Sequence, residues 1–241
     1  MDNKTVMITE AARNLGPQLA SLFANEGANL ILNTAGDTSL LSGVISNVNE
    51  LGAKAISNRS DVGNQDEVKN LVHKAIENFG KVDVVINNAN YDPIPESLAQ
   101  TTFGNWSRKI QVEVTGALIV CQAILPSMVE NRWGRIINYI GSDGFRGSHI
   151  TSATTDLGII GLTRGIAREY KDHNITANCI SIGGISPDAY DRNFLTTNRS
   201  GMSERLGTPE EGVFLTSSLV SEHSGHITGQ CLLLNGGQFF L

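Results

Sequence analysis

Short apolar runs alternate with helix-period stretches along nearly the whole chain, and no other feature restricts its folding as strongly. Runs of this kind separated by amphipathic helices are the pattern of strand–helix–strand crossovers, which build a parallel sheet with helices on both faces. The predicted strands are Thr5 to Ile8, Leu30 to Asn33, Lys54 to Ser57, Val82 to Asn87, Arg135 to Ile140, Ile175 to Ile182 and Cys231 to Leu234. Between them, Leu15, Leu19, Leu22 and Phe23 mark a first helix, and a second runs from about Ser39 to Leu51. Asn64 with Glu67 opens a third as a capping pair, Val68, Leu71, Val72, Ala75, Ile76 and Phe79 face the sheet, and Gly80 ends it. A long helix is expected from about Thr102 to Asn131, broken near Gly116 and Pro126. A helix rich in small residues spans roughly Thr151 to Asp172, and Thr208-Pro209-Glu210-Glu211 reads as a helix start. Residues 187–206 are polar and poorly periodic, as in a mobile substrate loop. The expected fold class is α/β: a single domain, residues 1–241, built on a doubly wound parallel sheet of about seven strands.

At 241 residues one such domain buries a full core. The net charge of −6 is spread along the chain without a Lys/Arg block, which argues against nucleic-acid partners and favours a neutral or cationic ligand. Cys121, Cys179 and Cys231 are an odd number, far apart in sequence and without metal-ligand spacing, and read as reduced core residues with no metal site. The N-terminus lacks a secretory apolar region, and no apolar run looks long enough to span a bilayer. The expectation is a cytoplasmic protein with no membrane partner.

The stretch from Thr9 to Gly16 lies between the first strand and the first helix, where a dinucleotide fold cradles a pyrophosphate. Glycine is used in such turns because it permits φ > 0 and lets the backbone approach phosphate oxygens. Here most of the glycines are missing. If the Glu10 carboxylate faces the pyrophosphate position it opposes the helix N-terminus, at a cost of about 1 kcal/mol or more; the alternative is that it swings out to solvent.

Several further motifs, in order and at full length, resemble the short-chain dehydrogenase/reductase family. They are Asp61-Val62, Asn87-Asn88-Ala89, Gly134-Arg135-Ile136-Ile137-Asn138, Gly158 through Arg164, Thr228-Gly229-Gln230 and Asn235-Gly236-Gly237. The resemblance implies a Rossmann-like fold. It also implies a cofactor site at Thr9, Asn14, Gly16, Asp61, Val62, Asn87, Ala89 and Gly183, should a nucleotide bind.

Against that pattern the chemistry is altered. The family's Thr-Gly-x-x-x-Gly-x-Gly turn keeps only Gly16, with Glu10 and Asn14 in the other two places. The family's catalytic Ser position falls on Gly141, with Ser142 adjacent. Its Tyr falls on Ser152, its Lys on Asp156 and its long-helix Asn on Glu113. Ile182 stands for a Pro, and Pro187 for the Thr that contacts the cofactor. In the family the Tyr is the general acid/base and the Lys lowers its pKa while holding the nicotinamide ribose; a serine hydroxyl without its own base is too weak an acid to replace it.

Glu113, Ser142, Ser152 and Asp156 are therefore the candidate catalytic residues, with His149 as a nearby base. Glu113 and Asp156 are expected to face one small volume, as a coupled pair sharing a proton or cation or as half of an ion pair with Arg108, Lys109 or Arg146. The resulting expectation is a protein on an oxidoreductase-derived scaffold without a cofactor: a non-redox enzyme, a small-ligand-binding protein or a pseudoenzyme. The alternative is an atypical NAD(P)-dependent oxidoreductase acting on an alcohol or carbonyl compound. The resemblance also implies a homotetramer or dimer through Leu118, Val120, Ile124, Met128 and the tail Phe239-Phe240-Leu241.

Overall fold

The fold is seen in a computed structural model that describes residues 1–91, 97–185 and 205–240. Seven parallel strands form one sheet in the order β3-β2-β1-β4-β5-β6-β7. They are β1 (Thr5–Ile8), β2 (Asn29–Thr34), β3 (Ala55–Arg59), β4 (Val84–Asn87), β5 (Gly134–Ile140), β6 (Ile175–Ile182) and β7 (Cys231–Leu234). The chain winds outward one way from β1 to β3, then returns to place β4 on the other side of β1. This reversal opens a crevice at the carboxyl ends of β1 and β4, where ligands bind in open α/β sheets.

The strands are apolar at consecutive positions because both faces are covered. Along β1, Val6 and Ile8 enter one core and Met7 the other. The first core packs under α1 (Gly16–Asn25), α2 (Ser42–Glu50) and α8 (Pro209–Val220), through Leu19, Phe23, Val48 and Leu219. The second lies under α3 (Gln65–Phe79), α5 (Gly116–Asn131) and α7 (Ile150–Tyr170), through Leu71, Ile124, Met128 and Ile166.

Local signals act as the sequence suggests. Asn64 accepts hydrogen bonds from the amides of Asp66 and Glu67, and Gly80 ends α3 at φ 79°. Thr208 and Glu211 make both bonds of a capping box. Ile76 is a correction: it is 40% exposed, because α3 buries only the stripe of Val68, Leu71, Val72 and Ala75. β4 starts at Val84 rather than Val82, and β3 runs on to Arg59 because residues through 59 stay paired with β2.

The long helix also differs from expectation. α4 (Phe103–Lys109), a π-helical segment (Ile110–Thr115) and α5 follow one another without a gap, and Pro126 lies inside α5 without ending it. The irregularity is the wider π turn; at Pro126 the buried Leu125 and Met128 hold both sides against the core. Within the joined stretch, Phe103–Asn131, an 18-residue window reaches a mean hydropathy of 1.7, so by length and composition alone this helix could cross a bilayer, contrary to the expectation that no such run exists. Its packing on α3, α7 and β5 is that of a core helix, a kind of helix that passes the same length and composition test.

Candidate functional site

A cavity of about 620 Å3 opens at the carboxyl ends of β1, β4, β5 and β6. Thr9, Asn14, Val62, Asn87, Ala89 and Gly183 line it, as do Glu113, Ser152 and Asp156. Gly16, Asp61 and Ser142 do not reach its wall. Pro187 and all but the last two residues of the expected loop 187–206 lie outside the described residues.

The β1–α1 turn is tied to β4. Thr9 Oγ1 accepts hydrogen bonds from the amides of Asn88 (2.9 Å) and Ala89 (3.1 Å), and Asn88 Nδ2 donates to the carbonyls of Thr9 and Glu10. Glu10 and Asn14 adopt the left-handed backbone of the glycines they replace, at φ 49° and 54°. Gly16 is needed for packing: a Cβ there would sit 2.6 Å from backbone atoms of Ala11. Glu10 takes neither expected orientation. Its side chain is only 16% exposed, with Oε1 3.9 Å from Arg13 Nε and within 3.5 Å of Thr34 Oγ1 at the end of β2. The carboxylate thus turns along the outer end of the crevice and leaves the cavity wall.

Glu113 and Asp156 both line the cavity, and each carboxylate is bonded to partners of its own. Asp156, almost fully buried on α7, accepts hydrogen bonds from the amides of Gly141 (2.9 Å) and Gly144 (3.0 Å). Burial raises its pKa above 3.8; the two amides oppose this, and the carboxylates of Glu113 and Asp143 add to it. Glu113 instead accepts from Lys109 Nζ at 2.5 Å, one helical turn back, and from the amide of Tyr91 at 3.1 Å. Lys109 is 3% exposed and also donates to Tyr91 O and Asn90 Oδ1. Of the three cationic partners considered from sequence, Lys109 is the one found, because α4 and the π segment place it four residues before Glu113. Three carboxylates, Glu113, Asp143 and Asp156, therefore share the described wall with one ammonium, that of Lys109.

Ser152 lines the cavity, whereas Ser142 precedes the helical turn α6 (Asp143–Arg146). The Ser142 carbonyl accepts hydrogen bonds from the amides of Phe145 and Arg146, which sets the start of α6. His149 is oriented by Asp143, with Nδ1 3.1 Å from Oδ2, while Ser148 Oγ donates to Asp143 Oδ1 at 2.6 Å. His149 is half exposed and lies off the cavity wall.

Asn87 and Asp61 have structural employment. Asn87 Nδ2 donates to Asn138 Oδ1, Asn138 Nδ2 donates to Thr163 Oγ1, and the chain stays buried between β4, β5 and α7. Asn87 also donates to the Cys121 thiol, whose pKa burial pushes up to about 12. Asp61 pairs with Arg108 at 2.7 Å and accepts from the amide of Gly63. Tyr139 lines the cavity while its hydroxyl bonds to Thr216 and to the carbonyl of Gly212. Among the charged residues of the wall, Asp143 was not singled out from sequence, and Lys109 entered only as a possible partner of the carboxylates, for which its i,i+4 spacing from Glu113 was the signal.

A doubly wound sheet with its cavity at the strand-order reversal defines the class of nucleotide-type α/β proteins. Within that class the chain belongs to the short chain dehydrogenase family, whose sequence profile matches residues 4–197. It is 32% identical over 241 residues to a 3-oxoacyl-(acyl-carrier-protein) reductase, FabG, of Chlamydia muridarum, covering 98% of this chain and 97% of that one. It is 29% identical over 245 residues to the (2S)-[(R)-hydroxy(phenyl)methyl]succinyl-CoA dehydrogenase subunit BbsD of Thauera aromatica, covering 99% and 97%. Among solved structures, an NAD+-bound xylitol dehydrogenase superposes with a TM-score of 0.88 at 26% identity, covering 98% of this chain and 99% of that one.

Proposed function

We propose that the cleft binds a nicotinamide nucleotide and that the protein is an atypical NAD(P)-dependent short-chain oxidoreductase acting on an alcohol or carbonyl compound. The observation that carries this reading is the turning of Glu10 toward Thr34, which leaves the crevice open along Thr9, Asn14, Val62, Ala89 and Gly183. The reductase and dehydrogenase names of the relatives support it, and they give no support to a cleft without a cofactor. A bound nucleotide would supply or accept the hydride.

The chain's own residues then handle the proton. Ser152 faces the reacting oxygen from the Tyr place, and Asp156, one turn further along α7, holds a proton more tightly than an ordinary carboxyl. Lys109, held by Glu113, fixes the segment at residues 90–91 beside the cavity. Three carboxylates against one ammonium favour a neutral or cationic substrate. Calorimetric titration with NAD+, NADH, NADP+ and NADPH tests the reading: saturable binding of at least one supports it, and no binding of any defeats it.

A second reading, a non-redox enzyme or ligand-binding protein on the same scaffold, is favoured by Ser152 and Asp156 in place of the family's acid/base pair. It predicts no nucleotide binding. The proposal also includes a cytoplasmic site of action and a homotetramer or dimer. Of the expected contact residues on α5, Val120, Ile124 and Met128 are buried in the protein's own core, and the exposed apolar side chains of Leu118, Leu157 on α7 and Phe240 in the tail support the assembly.

A further inference from the structure

Two of the three cysteines, 52 positions apart in sequence, meet in the sheet. Cys179 on β6 and Cys231 on β7 are register partners in adjacent parallel strands, and both side chains pack in the same small apolar cluster. Neighbouring strands lie about 4.8 Å apart, within the roughly 4.4–6.8 Å Cα separation that a disulfide spans. We infer that Cys179 and Cys231 form a peroxide-responsive dithiol that closes to a disulfide and ties β7 to β6. This inference is independent of nucleotide binding.

The two thiols differ in a way that assigns their roles. Cys231 is partly exposed, and its pKa is lowered, chiefly by the hydrogen bond from Cys179 and further by Arg164, while burial and Asp156 oppose the shift. Cys179 is fully buried, bonds with Thr163 Oγ1 at 2.9 Å, and its pKa is pushed up by the adjacent Cys231 thiol and by burial. Cys231, the thiol that solvent reaches and whose pKa is lowered, is therefore the sulfur that reacts. Its thiolate attacks hydrogen peroxide; the O–O bond breaks, a sulfenic acid forms on Cys231, and the departing oxygen leaves as water. The Cys179 sulfur then attacks the Cys231 sulfur, the S–S bond forms, the S–O bond breaks, and a second water leaves. One peroxide is reduced to two waters and two thiols are oxidised to one disulfide.

Cys121 provides an internal comparison: it is buried, its thiol is pushed up to about 12, and its described sulfur contact is with Asn87. The disulfide would close residues 180–230 into a loop, which restricts the unfolded chain and raises the thermal midpoint.

The test is to treat the full chain with hydrogen peroxide, alkylate the remaining thiols under denaturing conditions, and map the peptides by mass spectrometry. Wild-type protein is expected to lose two of its three alkylatable thiols, yield a linked Cys179–Cys231 peptide pair, and recover both thiols in dithiothreitol. Cys121→Ser should still form the link, and Cys179→Ser should stop at a sulfenic or higher oxide on Cys231. Survival of all three wild-type thiols, under peroxide that oxidises glutathione in the same tube, would overturn the inference. So would over-oxidation of wild-type Cys231 with Cys179 still free, a result that does not depend on any variant folding.

Discussion

Glu10 holds a charged side chain on a backbone that glycine adopts without strain, at φ 49°. A left-handed L-residue costs about 1 kcal/mol or more relative to glycine, and the contact with Thr34 at 3.5 Å returns little. Glu10→Gly is therefore expected to raise unfolding stability by about 1 kcal/mol in urea titrations, and to tighten nucleotide binding by removing a carboxylate from the outer crevice. Asp156 gives a pH signature. Its native pKa is raised above 3.8, so its contribution to stability is fully present below about 3.8 and is lost as pH rises through the higher native value. Relative to Asp156→Asn, wild-type stability should fall over that window and level off above it; a difference that is flat or rises with pH would contradict the burial of this carboxyl. The expectation that positions 10, 14, 113, 152 and 156 depart from the family's pattern rests on ordered motifs that set their places in the chain. Their bonding was not: the donors to Asp156 are amides of Gly141 and Gly144, from a segment whose path no side-chain pattern reveals.

At the scale of elements, α1 is held against the turn by one absent side chain. A Cβ on Gly16 would meet the Ala11 backbone at 2.6 Å, and backbone cannot rotate away as a side-chain tip can. Gly16→Ala should cost roughly 1–3 kcal/mol in chemical denaturation, the scale of overpacking a close contact. The same change at Gly43, where nothing lies within 4 Å, should not destabilise α2. Strands and caps were readable because each rests on local chemistry: runs covered on both faces, Asn64 before α3, Thr208 before α8. The π segment was not. Its six residues carry an ordinary helical pattern, so the sequence pointed to Gly116 and Pro126 as the breaks. The pairing of Cys179 with Cys231 also depends on sheet register, which becomes visible only once β6 and β7 lie side by side.

For the whole molecule, Leu118, Leu157 and Phe240 leave apolar surface suited to a second copy. Light scattering at micromolar concentration should give at least a dimer mass; a monomer would remove the assembly proposal. Under the oxidoreductase reading, the rate of alcohol oxidation should rise with pH as Asp156 loses its tightly held proton, and Asp156→Asn should abolish that limb of the profile. The proposal stands or falls on whether this cleft admits a nicotinamide nucleotide. Isothermal titration of the full chain with NAD+, NADH, NADP+ and NADPH tests it most directly. Saturable, stoichiometric binding of at least one nucleotide, tightened in Glu10→Gly, is the expected result; absence of binding for all four, in wild type and in Glu10→Gly alike, would contradict the proposed function.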